Sequence, residues 1–257
     1  MAQSKVEGQP AYLLHSRPYR DTSALLELWT LEFGRVGLVA RGARGAKSAW
    51  RGALNSFQPL QVSWSGGGDL KSLRGLEPDG MVSVPAGEAL AAAYYVNELT
   101  LRTCQRQDAH PHLYLSYVTI MTALSGSDAA KSGVVERALR AFEIDLLAEL
   151  GYGVIIDVDQ SGAVITPDAD YCYVQEQGPV SWQSIVDAGN EGHLPGIRVS
   201  GAVLINLQSG QLDNSQLLSA KRLMRALLQP HLGDRPLESR RLWAAISKAG
   251  KVGETGH

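Results

Sequence analysis

The sequence of 257 residues lacks the features of a disulfide-stabilised, secreted or membrane-spanning protein. It has only two cysteines, Cys104 and Cys172, which cannot form a disulfide framework and are expected to be reduced thiols. No apolar run is long enough to span a bilayer. The apolar residues 11–14 are followed by His15 and Arg17, which interrupt any signal-peptide pattern. We therefore expect a soluble cytoplasmic protein that has no contact with a membrane.

Charge of one sign is missing from two long segments. Residues 33–68 contain five basic side chains and no acid, whereas residues 142–191 contain ten acids and no Lys or Arg. Residues 220–251 hold eight basic side chains against two acidic ones. The formal net charge of −2 conceals this segregation, and a surface of one sign attracts partners of the other. The two basic segments are therefore the first candidates for binding an anionic partner.

Recognisable patterns of catalytic and metal-binding residues are also missing. The sequence has no Ser-His-Asp signature, no nucleophile elbow and no HExxH motif. A phosphate-binding P-loop fails on spacing, because Ala43 stands where that motif requires Lys. Asp108, His110 and His112 are close in sequence, but no complementary group of ligands accompanies them. We therefore expect no catalytic residue, no metal site and no cofactor.

The first third of the chain has the pattern of a small β-barrel. Short apolar segments separated by turn residues occur at 11–17, 22–32, 35–41, 57–65 and 70–76. Five strands in this length favour a barrel of the oligonucleotide/oligosaccharide-binding (OB) type, and an SH3-like barrel is the alternative. Residues 1–10 are expected to form a loose tail.

Beyond residue 80 the apolar residues recur at helical spacing. Helices are predicted at 85–107, 111–124, 134–150 and 214–228, with a last helix beginning near 236. Residues 152–190 return to short β-like pieces. The predicted fold is therefore α+β. It comprises an OB-fold domain over 1–80 and a mainly helical domain over 81–257 with a small β insertion at about 152–190.

The glycine-rich stretch 34–52 predicts a nucleic-acid interface. Its basic side chains are Arg35, Arg41, Arg44, Lys47 and Arg51. Glycine lets the backbone approach a phosphate closely, and Arg and Lys neutralise the phosphate charge. Trp50 offers a stacking face for unpaired bases, with Phe57 and Trp64 nearby. Each of these aromatic residues, taken singly, is more typical of a barrel core than of a stacking face, because a barrel of this size needs large core residues.

A second basic surface is predicted on the helix near 214–229. At 100° per residue, Lys221, Arg222 and Arg225 fall within roughly a 100° arc. The apolar residues of the neighbouring arc are Leu217, Ala220, Met224, Leu227 and Leu228. An ordinary solvated helix has the same pattern, so binding of an anionic partner and simple solvation are both open.

Four blocks of the sequence, 12–44, 138–153, 91–99 and 236–243, resemble those of the RecO family of bacterial recombination mediators. The resemblance implies an OB fold, a helical domain, and binding to single- and double-stranded DNA. It also implies annealing of complementary strands, cooperation with RecR, and contact with the acidic C-terminal tail of single-stranded DNA-binding protein, so that RecA can be loaded.

The resemblance also assigns a role to one residue of the second block. Arg140 matches a position that receives the acidic tail in the family, while Ala141 stands where some members have a second arginine. Many members carry a four-cysteine zinc module after this block. Residues 152–190 contain only Cys172, so a zinc module is not expected in this chain.

These features predict a non-enzymatic DNA-binding mediator of recombination and repair. One alternative is a protein-interaction adaptor that binds acidic peptides and has little DNA affinity of its own. A further alternative is an RNA-binding barrel protein. Binding measurements with DNA and RNA strands of graded length distinguish the three.

Overall fold

A computed structural model gives the structure of the protein and describes residues 5–45, 48, 50, 53–80, 84–189 and 196–254. The chain forms two compact units, Met1–Ser127 with Pro236–His257 and Asp128–Arg235. The domain boundary predicted at residue 80 falls inside the first unit. Among the helices of the described ranges, none combines the length and apolar character needed to cross a membrane.

The first unit contains a closed β-barrel. Its strands are β1 (Lys5–Tyr19), β2 (Ser23–Thr30), β3 (Gly34–Ala40), β4 (Pro59–Ser65) and β5 (Leu70–Pro78). They close in the order β1-β2-β3-β5-β4, with β3 and β5 parallel and the other neighbours antiparallel. This arrangement confirms the predicted OB-type barrel.

The first residues of the chain depart from the sequence prediction. Residues 5–10 were expected in a loose tail, but they belong to β1, which pairs with β4 from Lys5 opposite Ser65 to Tyr12 opposite Pro59. β1 is long because its first part, Lys5–Tyr12, pairs with β4, while its second part, Ala11–Tyr19, pairs with β2. The segment 5–10 was predicted to be a tail because its exposed residues Lys5 and Glu7 make the sequence polar.

The interior of the barrel is filled by alternate side chains of all five strands. The largest of these is Trp64, which is fully buried with Leu26, Leu28 and Leu38. Burial of each such side chain stabilises the fold by about 1.5–3 kcal/mol. Phe57 is also buried, so Phe57 and Trp64 are core residues and offer no stacking face to a ligand.

Helices make up most of the remainder of the described chain. They are α1 (Gly87–Thr103), α2 (Pro111–Ser125), α3 (Val134–Glu149), α4 (Trp182–Asp187), α5 (Gly201–Ser209), α6 (Leu217–Leu228) and α7 (Glu238–Glu254). The five predicted helices are confirmed, with small shifts at their ends. The short helices α4 and α5 were not predicted.

A buried amide fastens α1 to the barrel. Asn97 Nδ2 donates to the backbone carbonyls of Leu13 (3.4 Å) and Leu14 (3.0 Å), where the pairing of β1 with β2 is irregular. The Tyr117 hydroxyl of α2 donates to Asn97 Oδ1 at 2.5 Å. At Leu14, where the β1–β2 register shifts, the Asn97 amide thus provides a donor for a backbone carbonyl.

The second unit combines α3–α6 with a small antiparallel sheet. Its strands are β6 (Asp170–Val174), β7 (Gly178–Ser181) and β8 (Ile197–Ser200), in the order β7-β6-β8. The β-like pieces predicted before residue 167 form no strand and meet only in an isolated bridge between Val158 and Val164. Gly151 ends α3 with φ of 84°, as its sequence position predicted.

Candidate nucleic-acid interface

Two loops of the barrel are hydrogen-bonded to each other at one end of the barrel. The backbone N–H of Arg44, in the glycine-rich loop after β3, donates to the carbonyl of Thr22 at 2.8 Å. The Arg44 guanidinium donates through Nη1 to the carbonyl of Arg20 at 3.4 Å. Thr22 and Arg20 belong to the turn between β1 and β2. The glycine-rich loop is therefore held against this turn.

Exposed arginines come together where the two loops meet. Arg41 and Arg44 lie on the glycine-rich loop, and Arg20 lies on the β1–β2 turn, with Arg17 two residues before Tyr19 on β1. All four side chains are exposed. We call Arg17, Arg20, Arg41 and Arg44 the barrel-end surface. Such a group of positive charges suits a polyanion.

Only half of this surface was predicted from the sequence. Arg41 and Arg44 were predicted to bind DNA, whereas Arg17 ends the predicted segment 11–17 and Arg20 lies among the turn residues that follow it. The pairing of Tyr19 with Ser23 and of Ala24 with Ala40 places the β1–β2 turn and the end of β3 at the same rim. That proximity depends on barrel topology, which a linear pattern does not show.

Arg35 lies at the opposite end of β3 from Arg41 and has internal contacts. Its Nη1 donates to the carbonyl of Leu101, and its Nε is 3.6 Å from Glu27 Oε2. Its side chain is 19% exposed. The structure therefore does not place Arg35 with the barrel-end surface, and its contact with DNA stays a prediction.

Arg106, which no sequence pattern marks, contacts the same acid. Its guanidinium binds both carboxylate oxygens of Glu27 and donates to Asp69 Oδ2 at 2.6 Å. The hydrogen bonding that Arg106 donates to the Glu27 carboxylate is the main reason why the pKa of Arg106 is raised. Glu27 thus balances two arginines, and because Glu27 lies outside the basic segment 33–68, the charge pattern of that segment does not show this compensation.

Of the remaining residues predicted for the loop site, the structure describes Trp50. Lys47 and Arg51 lie outside the described residues. Trp50 is half-buried and packs against the barrel core. Its predicted role in base stacking remains a prediction, and its contact with the core gives it a structural role as well.

Helix α6 presents the second predicted basic stripe. Lys221, Arg222 and Arg225 are exposed, while the buried residues of the helix are Ala220, Leu223, Met224, Leu227 and Leu228. Leu218 is also exposed, with 59% of its surface accessible, and it lies one turn before Arg222. The stripe therefore combines positive charge with one exposed apolar side chain.

Arg140 of α3 is buried rather than displayed. Its side chain is 6% exposed, and Nη2 donates to Glu143 Oε1 at 2.6 Å. Within the described ranges, its Nε and Nη1 have no hydrogen-bond acceptor. Direct contact between Arg140 and a partner peptide stays a prediction, and it requires local rearrangement of the side chains that cover the guanidinium.

Metal-ligating side chains are dispersed in the part of the chain that the structure describes. There, no group of three or more His, Cys, Asp or Glu residues is placed to hold a metal ion. His110 lies over Trp29, with ring centroids 6.3 Å apart, and its Nε2 is 3.4 Å from Asp108. These contacts give the Asp108–His110 segment a packing role beside the barrel.

Comparison with known proteins identifies the family. The models of Recombination protein O N terminal and Recombination protein O C terminal match residues 3–80 and 85–241. The DNA repair protein RecO of Nitrosococcus oceani is 43% identical over 250 residues, covering 96% of this chain and 97% of the relative. Those of Alkalilimnicola ehrlichii and Dechloromonas aromatica are each 41% identical, covering 98% and 95% of this chain and 96% and 98% of the relatives. The chain therefore belongs to the recombination protein O family.

Proposed function

We propose that the protein is a DNA-binding mediator of recombination and repair, which acts by binding DNA and other proteins and not as an enzyme. The observation that carries this proposal is the barrel-end surface, where two hydrogen-bonded loops and the end of β1 bring four exposed arginines to one rim of an OB-type barrel. OB folds bind oligonucleotides. The names of the relatives, which are DNA repair proteins, support the same function.

The proposed activity includes annealing of complementary single strands. Two strands repel each other because each is a polyanion, so a protein that neutralises phosphates on both lowers the barrier to pairing. The chain offers one basic surface at the barrel rim and another on α6, formed by Lys221, Arg222 and Arg225. Each surface can neutralise phosphates of single- or double-stranded DNA, and annealing requires no nucleophile.

We further propose that the protein helps to load RecA onto single strands covered by single-stranded DNA-binding protein, in cooperation with RecR. We propose that the unit that contains Arg140 contacts the acidic C-terminal tail of single-stranded DNA-binding protein. This activity belongs in the cytoplasm, at the nucleoid. Family membership is its support.

A protein-interaction adaptor is the second candidate function. The observation that favours it is the exposed Leu218, one turn before Arg222 on the basic face of α6. A short acidic peptide with an apolar side chain would find both an apolar contact and ionic partners there. An adaptor of this kind needs little DNA affinity of its own.

The deciding experiment compares DNA binding and strand annealing by the wild type and by the Arg41→Ala/Arg44→Ala variant. We expect the variant to bind single strands and duplexes more weakly and to anneal complementary strands more slowly. A matched control is Lys5→Ala/Lys131→Ala, which removes the same charge from two exposed lysines that are paired with Glu7 and Asp128. Undetectable DNA binding by the wild type would favour the adaptor.

A further inference from the structure

An aromatic ring lies within the barrel-end surface. Tyr19 is the last residue of β1 and pairs with Ser23 across the hairpin. Its side chain is partly exposed, and Arg17 lies on the same face of the strand two residues earlier. Arg20 follows it directly, and Arg44 is hydrogen-bonded to the carbonyl of Arg20. The ring is therefore beside the arginines assigned to phosphate binding.

Arg20 contacts the ring and has an unusual backbone conformation. Its guanidinium carbon lies 5.1 Å from the centroid of the Tyr19 ring, within the range of a cation–π contact. Its φ is 51°, in the left-handed region that non-glycine residues seldom adopt. The hydrogen bonds from Arg44 to Arg20 and Thr22 hold this turn in place. Tyr19 is consequently positioned on one face by a guanidinium.

The other aromatic residues of the barrel have different surroundings. Tyr12, Trp29, Phe57 and Trp64 are buried. Phe33 and Trp50 are partly buried and pack against the barrel core. Among the described aromatic side chains of β1–β5 and their connections, Tyr19 thus combines partial exposure with neighbouring exposed arginines. This combination of positive charge and an aromatic face is typical of surfaces that bind single-stranded nucleic acids.

We propose that Tyr19 is the stacking platform for unpaired bases, and that it gives the barrel-end surface its preference for single strands. This inference rests on the proposed DNA-binding function. The arginines neutralise phosphates of either single or double strands, whereas the tyrosine ring contacts a base only where that base is not already stacked in a duplex. The ring therefore adds affinity for single strands alone.

The test measures binding of the full-length protein to fluorescein-labelled oligo(dT) and to a labelled duplex of the same length. Tyr19→Ala should weaken binding to oligo(dT) by about 5- to 150-fold, the range that corresponds to loss of one stacked base. Affinity for the duplex should change less than twofold. Tyr19→Phe should retain wild-type affinity for both, because the ring rather than the hydroxyl makes the contact.

Two further measurements separate stacking from other causes. The salt dependence of oligo(dT) binding should be unchanged in Tyr19→Ala, since no phosphate contact is lost, but should flatten in Arg41→Ala/Arg44→Ala. The control variant is Tyr152→Ala, which removes an exposed tyrosine of the second unit and should leave DNA binding unchanged. Thermal melting of each variant shows whether it remains folded.

Photocrosslinking of the wild-type protein gives an answer even if Tyr19→Ala fails to fold. An oligo(dT) that carries 5-iodouracil should crosslink to the peptide that contains Tyr19. A crosslink confined to Trp50, or an equal loss of oligo(dT) and duplex affinity in Tyr19→Ala, would overturn the inference while the proposed DNA binding stands. Failure of the wild type to bind either DNA would overturn both.

Discussion

Glu98 caps the helix that begins with Glu238. Its Oε1 accepts a hydrogen bond from the backbone N–H of Glu238 at 3.0 Å, and its Oε2 accepts from the backbone N–H and hydroxyl of Ser239 at 2.9 and 2.8 Å. Arg102 pairs with the same carboxylate at 2.6 Å and donates to the carbonyl of Pro236. Two of the sequence blocks that resemble the family, 91–99 and 236–243, are therefore joined through one carboxylate.

Replacement of Glu98 should reveal a pH-dependent contribution to stability. Burial raises the pKa of this carboxyl. The hydrogen bonds from Ser239 and Glu238, together with the charge of Arg102, lower the pKa by more, so that it lies below the ordinary value of 4.5. A carboxyl whose pKa is lower in the folded state stabilises the fold above its unfolded pKa. That stabilisation is lost as the pH falls through the folded pKa.

The measurement is urea unfolding of the wild type and Glu98→Gln at pH 7 and near pH 3.5. We expect the wild type to be more stable by about 1 kcal/mol at pH 7, the usual contribution of a helix cap, and the difference to shrink at the lower pH. A difference that is the same at both pH values would contradict the assignment of an ionised cap.

Salt should weaken DNA binding in proportion to the number of phosphates neutralised. With four arginines at the barrel rim, log K for single strands should fall against log salt with a slope of about −3, since each phosphate contributes about 0.7. Arg41→Ala/Arg44→Ala should flatten this slope by about 1.4 and lower affinity for all base sequences alike. A slope near zero in the wild type would contradict phosphate binding at this surface.

Arg20→Gly separates the role of the side chain from that of the backbone. Glycine adopts a φ of 51° without the penalty that Arg20 incurs, so the variant should melt no more than about 2 °C below the wild type. Its affinity for single strands and duplexes should nevertheless fall, because a positive charge is lost from the barrel-end surface. Wild-type DNA affinity in Arg20→Gly would exclude Arg20 from the interface.

Arg140 requires a variant that keeps the core intact. Arg140→Ala removes a buried guanidinium that forms an ion pair with Glu143 and should destabilise the protein by about 3–5 kcal/mol. The double variant Arg140→Met/Glu143→Leu replaces the pair by apolar groups and should be considerably more stable than Arg140→Ala. Urea unfolding at pH 7 measures both.

The same double variant tests the predicted peptide contact. If Arg140 binds the acidic tail, affinity for a peptide with acidic and aromatic residues and a free terminal carboxylate should fall by about 1–3 kcal/mol. Arg222→Ala/Arg225→Ala reports separately on the stripe of α6. Unchanged peptide affinity in the folded Arg140→Met/Glu143→Leu protein would remove Arg140 from the site.

The sequence predicted the elements that depend on local periodicity. Alternation and turn residues predicted all five barrel strands, and the spacing of Val135, Leu139, Phe142 and Leu146 predicted α3, where these side chains are buried. The strand segment at 5–10 was missed, because exposed Lys5 and Glu7 concealed the pairing with β4. The final strand β8 was missed because its four residues are too few to show a period.

The candidate site was predictable only in part, for a related reason. Arg41 and Arg44 were identified because they lie in one uninterrupted basic segment. Arg35 belongs to the same segment but contacts Glu27. Arg106 binds the same carboxylate, although it lies 79 residues from Glu27 in the sequence. No sequence pattern marks Tyr19, because its place beside Arg41 and Arg44 depends on the pairing of strands that are distant in sequence. Contacts between distant residues decide which charges remain available.

The hydrogen bonds of Asn97 bear on the order in which the chain can complete its fold during synthesis. The carbonyls of Leu13 and Leu14 are made early at the ribosome, but their partner lies 83 residues downstream of Leu14 and is itself held by Tyr117. Before α1 and α2 have left the exit tunnel, the carbonyls of Leu13 and Leu14 therefore lack their buried amide donor and must bind water instead. We expect this part of β1 to reach its native hydrogen bonding only after both helices have formed.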